Sequence, residues 1–147
     1  MHLELLILFG WMLILGVSLL AWRLGGPVER QAAMLVVVMS LAITLIGLIP
    51  NKEIQKPSYF LVDGLFGAGL LVLAVRYTTA WLGVAVLLQA AQFSLHAYYL
   101  VAGKMYDTFY AMVNNLVSLG VLLCLTAGCL LAWRKRRRVA ANNLAAK

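Results

Sequence analysis

The chain has 147 residues, of which 64% are hydrophobic and 12% are charged. Soluble domains carry about 25% charged residues, so this composition excludes a soluble globular protein and indicates an integral membrane protein. A membrane-spanning helix uses about 20 residues, and five such segments would use most of the chain. No separate soluble domain fits in what remains, so any chemistry must lie within the membrane or at its faces.

Five apolar segments alternate with short breaks and predict an all-α, polytopic transmembrane helical bundle. The first break follows Arg23, and its Pro27 suits the first turn of the next helix. The second break, from Pro50 to Pro57, is predicted to be a polar loop. The single bundle covers residues 1–133, with predicted spans at 3–22, 28–49, 58–75, 80–101 and 106–133, and a basic cytoplasmic tail follows at 134–147.

The third segment is the shortest span, and it contains the glycines Gly64, Gly67 and Gly69. Small residues let helix backbones approach closely, so this helix is predicted to pack in the middle of the bundle. Its one charged residue is Asp63. The glycines and the charge weaken the segment, so the alternative is a four-span protein in which it lies in the interface or re-enters the membrane.

The positive charges determine the predicted orientation. The formal net charge of +7 includes five consecutive basic residues directly after the last span, and membrane topology explains them better than nucleic-acid binding does. With the C-terminus in the cytoplasm and the N-terminus outside, nine of the twelve Lys and Arg residues lie on the cytoplasmic side. We expect a bacterial inner (plasma) membrane. The residues that fix topology or bind lipid head groups are Arg134, Lys135, Arg136, Arg137 and Arg138.

Polar side chains form stripes on the last two predicted helices, at spacings of three and four residues that keep them on one helix face. Hydrocarbon offers no hydrogen-bond partners, so the stripes should face each other or a shared cavity in the outer leaflet. Together with Asp63, they make a predicted polar intramembrane cluster: Asp63, Gln89, Gln92, His96, Tyr99, Tyr110, Asn114, Asn115 and Ser118.

Two interpretations of this cluster remain open. The favoured one is that its side chains hold the helices together by hydrogen bonds, with Asp63 close enough to the surface to be hydrated or to cap a helix. The alternative is a functional site in which Asp63 and His96 exchange a proton or anchor a ligand.

More specific chemistry lacks the required patterns. Ser94 lies two residues from His96, on another helix face, and no G-x-S-x-G motif occurs, so no catalytic residue is predicted. His2, Glu4, Asp63 and His96 are suitable ligand types without diagnostic spacing, so no metal site is predicted. No cofactor is predicted, although the cluster is chemically suited to a quinone or a structural lipid.

The sequence therefore predicts a small non-enzymatic membrane protein, an accessory or scaffolding subunit of a larger membrane complex or a homo-oligomer. The first two spans are almost free of interior polar residues and can offer apolar surfaces to other helices. The alternative is a small transporter or channel that uses Asp63, Gln92, His96 and Asn114. Predicted partners are membrane lipids and other membrane subunits or a second copy of the chain, without nucleic acid.

Overall fold

A computed structural model describes the backbone of residues 2–145 and the side chains of residues 7–145. Within that range the chain is helical and contains no strand. Each of the five helices is long enough and apolar enough to cross a membrane, which confirms the predicted all-α architecture with five span-length helices. The helices are α1 (His2–Leu24), α2 (Pro27–Gly47), α3 (Lys52–Tyr77), α4 (Ala80–Val101) and α5 (Thr108–Ala145).

The five helices form a closed ring. Short connections make consecutive helices antiparallel neighbours, and α1 also contacts α5, which closes the ring, while α2 makes a further contact with α5. Among the described residues, α3 contacts only α2 and α4, so the prediction that α3 lies in the middle of the bundle is wrong. Its glycines instead mark close approaches to its two neighbours, with Gly64 beside Phe93 and Gly69 beside Leu35.

The two ends of the ring differ. We call the end with the α2–α3 and α4–α5 connections the site end, and the end with the α1–α2 connection, the α3–α4 connection and the last part of α5 the tail end. The half near the tail end is filled by closely packed side chains, among them Ala21, Ala33, Leu82, Leu125 and Cys129, each at most 1% exposed. Small residues on α1 and α2 permit this close packing, so the open space of the bundle lies in the other half.

Helix α3 begins earlier than the sequence predicts. Residues 52–57 are helical rather than part of a loop, because Asn51 caps the helix by accepting a hydrogen bond from the backbone N–H of Glu53 at 3.0 Å. Pro57 is tolerated inside α3, and the neighbouring Ser58 hydroxyl donates to the Ile54 carbonyl at 2.8 Å. The residues of α3 that follow are therefore held on a helix that is 26 residues long.

Helix α5 continues beyond the predicted last span. It runs through the basic segment to Ala145 and contains 38 residues, or about 57 Å at 1.5 Å per residue. The Arg137 guanidinium lies 4.3 Å from the centroid of the Trp133 ring, and the Arg136 guanidinium donates to the Leu24 carbonyl at the end of α1. The basic residues are thus presented along one helix at the tail end.

The contact between Gly128 and Trp81 yields a test of the packing in the closed half. A Cβ atom on Gly128 would lie 2.6 to 2.9 Å from atoms of the buried Trp81 indole, whereas one on Gly83 would meet nothing within 4 Å. We predict that Gly128→Ala lowers the free energy of unfolding by about 1 to 3 kcal/mol because the rigid indole must move. Gly83→Ala should not lower stability, since alanine is the better helix former. Thermal unfolding in detergent measures both, and equal midpoints for the two variants would contradict this packing.

Candidate functional site

Asp63 is the centre of the polar contacts between the helices. It lies 11 residues after the start of α3, or about 16 Å along the helix at 1.5 Å per residue, and is only 1% exposed. Its Oδ1 atom accepts from Gln89 Nε2 at 3.4 Å and from Gln92 Nε2 at 3.4 Å. Its Oδ2 atom contacts His96 Nδ1. The structure thus buries Asp63 between α3 and α4 rather than leaving it hydrated or capping a helix.

A linear chain of contacts runs from Asp63 through His96 to Tyr110. His96 is buried and presents Nδ1 to the carboxylate and Nε2 to the Tyr110 hydroxyl. With an ionised Asp63 and a neutral imidazole, the ring proton belongs on Nδ1, and Nε2 then accepts the hydrogen of Tyr110. Three side chains, one each from α3, α4 and α5, are thereby joined.

A second connection joins α4 to α5 through amide groups. Gln92 Nε2, which also reaches Asp63, donates to Asn114 Oδ1 at 2.9 Å. The Gln92 Oε1 atom is buried and accepts no hydrogen bond from a described group. A buried acceptor without a donor is unfavourable, so this amide oxygen is a position at which a bound molecule with a donor would be stabilised.

The start of α5 is held by a carboxylate at the site end. Asp107 accepts from the backbone N–H of Tyr110 at 2.8 Å and from the Tyr99 hydroxyl at 2.7 Å. These two hydrogen bonds, that from the Tyr110 backbone foremost, hold the pKa of Asp107 below its usual range. Asp107 therefore stays ionised at neutral pH as the N-cap of α5, which fixes the position of Tyr110 one turn later.

A cavity of about 430 Å³ lies in the half of the bundle near the site end. All five helices contribute to its lining. The wall from α3, α4 and α5 carries the polar groups, whereas α1 and α2 supply mostly apolar side chains such as Ile14, Val36 and Met39. Pockets for small organic ligands typically have about 300 to 1,000 Å³ and a few polar groups in an apolar lining, and this cavity has both properties.

The structure brings most of the predicted cluster to the cavity and leaves two members elsewhere. Asp63, Gln89, Gln92, His96, Tyr110, Asn114 and Ser118 line it. Tyr99 is buried beside Tyr110, with ring centroids 5.1 Å apart, but bonds to Asp107 outside the cavity. Asn115 is exposed and does not line the cavity, because one residue along a helix rotates the side chain by about 100° from Asn114.

Several residues of the cavity were not predicted from the sequence. Tyr106 stacks on Tyr110 with ring centroids 4.0 Å apart, and Tyr59 also lines the cavity. Both tyrosines lie near the ends of predicted spans, where aromatic residues usually contact the membrane interface, so their sequence position does not distinguish them. The contribution of Trp11 and the other apolar residues of α1 to the lining was also not predicted. Apolar residues that line a cavity have the same sequence pattern as residues that face lipid.

The described residues do not form a metal site, and the basic residues of α5 lie far from the cavity. Among the described residues, no group of three or more His, Cys, Asp or Glu side chains is close enough to hold a metal ion. The side chains of His2 and Glu4, two of the ligand types considered from the sequence, lie outside the described residues. Arg134, Lys135, Arg136, Arg137 and Arg138 are exposed at the tail end, far along α5 from the cavity.

No protein family, characterised protein or solved structure matches this chain.

The contacts of Asp63 predict a difference between two substitutions. Asp63→Leu would remove the carboxylate that Gln89, Gln92 and His96 contact, and it should lower the free energy of unfolding by roughly 1 to 3 kcal/mol for each buried group that is left without a partner. Asp63→Asn keeps one acceptor oxygen in place and should lose much less. Thermal unfolding in detergent distinguishes the two, and equal losses would show that these hydrogen bonds do not hold α3 to α4.

Proposed function

We propose that this protein is a non-enzymatic integral membrane protein that binds a small amphipathic molecule in the cavity, as the substrate site of a small transporter does. The observation that carries the proposal is the cavity itself, with one polar and one apolar wall and about 430 Å³ of space. A bundle whose polar residues only hold helices together would need no such space, because its amides could pair directly at a helix contact.

The two walls suit the two parts of an amphipathic ligand. Gln92 offers a buried, unpaired acceptor, and Tyr110 offers an oxygen whose hydrogen is engaged by His96. A ligand with a donor group would satisfy these atoms, and its apolar body would contact the side chains of α1 and α2. Exclusion of water from the apolar wall would contribute most of the affinity, while the polar wall would orient the ligand.

The position of the cavity argues for a carrier rather than a channel. The cavity reaches from the site end to about the level of Val36, Gln89 and Leu122. Ala33, Leu82 and Leu125 are among the buried side chains that fill the bundle beyond that level, toward the tail end. A channel needs a polar path along its whole length. With the basic tail in the cytoplasm, as the distribution of Lys and Arg favours, the site end would face the outside and the cavity would receive its ligand from the outer leaflet.

Two glycines on α1 provide a matched test of binding. Gly10 lines the cavity and Gly16 does not, and a Cβ atom at either position would meet nothing within 4 Å. Gly10→Leu should fill part of the cavity without disturbing the helices, and Gly16→Leu should only add a side chain to the outer surface. The probe is triphenylmethanol, a neutral molecule with an apolar body and one hydroxyl donor.

We predict that wild-type protein and Gly16→Leu bind triphenylmethanol equally in equilibrium dialysis with detergent, and that Gly10→Leu binds it at least about tenfold more weakly because its leucine occupies the site. Binding that is identical in all three proteins is detergent partitioning. That result would contradict a ligand site in the cavity.

A second candidate function is an accessory or scaffolding subunit, and the surface of α1 favours it. This helix has large exposed apolar residues such as Phe9, Met12 and Leu19 along its outer side, and Gly16 exposes bare backbone among them. Small residues at a helix surface permit close packing of another membrane helix. A partner subunit would cover this face.

Native mass spectrometry after gentle detergent extraction distinguishes the two functions. Larger subunits that copurify in fixed stoichiometry, and that Gly16→Leu releases, would support the accessory function. A chain that is extracted alone, or as a closed homo-oligomer, would favour the transporter.

A further inference from the structure

We propose that the ligand is a monovalent organic cation with an apolar or aromatic body, and that it competes with a proton for the Asp63–His96 pair. This inference rests on the proposed function, because it specifies the ligand class of the same cavity. Three features of the cavity support it: the charge of the lining, the aromatic side chains in the lining, and the proton between Asp63 and His96.

The charge of the cavity follows from its ionisable groups. Asp63 is the only carboxylate, and no Lys or Arg occurs among the described residues that line the cavity. With a neutral His96 the pair carries one negative charge, and an added proton makes it neutral whichever residue holds it. Among these described residues an anionic ligand would therefore find no counter-charge, whereas a cation would face the Asp63 carboxylate.

Aromatic side chains surround the space next to this pair. Tyr59, Phe66, Tyr106 and Tyr110 line the cavity together with Trp11 from the opposite wall. The faces of aromatic rings attract cations, most strongly where water is excluded. Such a lining would stabilise a cationic head group and also offer an apolar surface to the rest of the molecule.

Proton competition follows from the groups that face the pair. Tyr59 of α3 and Tyr110 of α5 line the same cavity, as does Tyr106 just before α5, and the described lining residues of α1 and α2 include no ionisable side chain. At the mouth, Lys56 Nζ donates to the Lys104 carbonyl at 3.3 Å and lies 5.7 Å from the Tyr106 ring centroid. Tyrosines remain neutral at physiological pH, so among the described lining residues the carboxylate of Asp63 and the imidazole of His96 are the groups at which a proton would compete with a cation.

The hydrogen-bonding role of the Tyr110 hydroxyl would depend on the protonation of the Asp63–His96 pair. When His96 is neutral, its Nε2 accepts the hydrogen of Tyr110, and the phenol oxygen of this lining residue can act toward other groups only as an acceptor. When His96 is protonated, Nε2 donates instead, and the Tyr110 hydrogen becomes free to turn toward the cavity. One proton thus removes the negative charge and replaces an acceptor with a donor, and both changes disfavour a cation.

The test compares three probes of similar shape on the full chain in detergent. Tetraphenylphosphonium is the cation, tetraphenylborate is the anion, and triphenylmethanol is neutral. Binding to the cavity is the part that Gly10→Leu removes and Gly16→Leu keeps. Each dissociation constant is measured by equilibrium dialysis from about pH 8 to about pH 5, the range in which histidine charges most readily.

The phosphonium should bind at least about tenfold more tightly than the borate at the upper end of this range. Its dissociation constant should rise as the pH falls, by at most about tenfold per pH unit for the exchange of one proton. Asp63→Asn should weaken phosphonium binding about tenfold or more at the upper end of this range, because it removes the negative charge of the lining. Thermal unfolding of the same variant in detergent separates this effect from a loss of folding.

Two failures can be told apart. If triphenylmethanol shows binding that depends on Gly10 but the phosphonium is no tighter than the borate, or its affinity does not change with pH in wild-type protein, the cation inference is wrong and the ligand site remains. If none of the probes shows binding that Gly10→Leu removes, both the inference and the proposed function are wrong.

Discussion

The bundle depends on the need of one buried carboxylate for hydrogen-bond donors. Asp63 is almost completely buried in a protein whose surroundings supply few polar groups, and an unpaired charge there would be strongly unfavourable. Gln89, Gln92 and His96 satisfy it from α4, and through Gln92 and His96 the contacts continue to Asn114 and Tyr110 on α5. The same interactions that orient three helices therefore leave polar atoms directed at a common space, so helix association and a ligand site are not exclusive alternatives.

The sequence predicts the polar wall of this site well and the rest of it poorly. Spacings of three and four residues place Gln89, Gln92 and His96 on one face of α4, and hydrocarbon leaves such a face no alternative to inward contact. The spacing cannot predict that α1 and α2 stand away from these residues, because the apolar side chains of a cavity wall and of a lipid-facing surface are alike. Close approach by glycine was anticipated for α3, but the sequence did not reveal that the helices form a ring without a central member.

The ends of the helices also differ in whether nearby or distant residues fix them. The cap at Asn51 is a local signal, and it outweighs Pro57, which had suggested a loop. By contrast, the cap at Asp107 also depends on Tyr99 from the preceding helix, and it positions Tyr110 for its contact with His96. The geometry of the cavity is thus fixed partly by the connection between α4 and α5 at the site end.

If Asp63 holds His96 in the tautomer that engages Tyr110, then the position of the imidazole proton must depend on Asp63. Solid-state ¹⁵N NMR of histidine-labelled protein in lipid bilayers can report this, with His2→Gln used to assign the single remaining ring. At a pH where His96 is neutral, we expect the ring proton on Nδ1 in the wild-type chain and a displaced tautomer equilibrium in Asp63→Asn. A proton on Nε2, or a His96 spectrum that Asp63→Asn leaves unchanged, would contradict the coupling on which the account of this site depends.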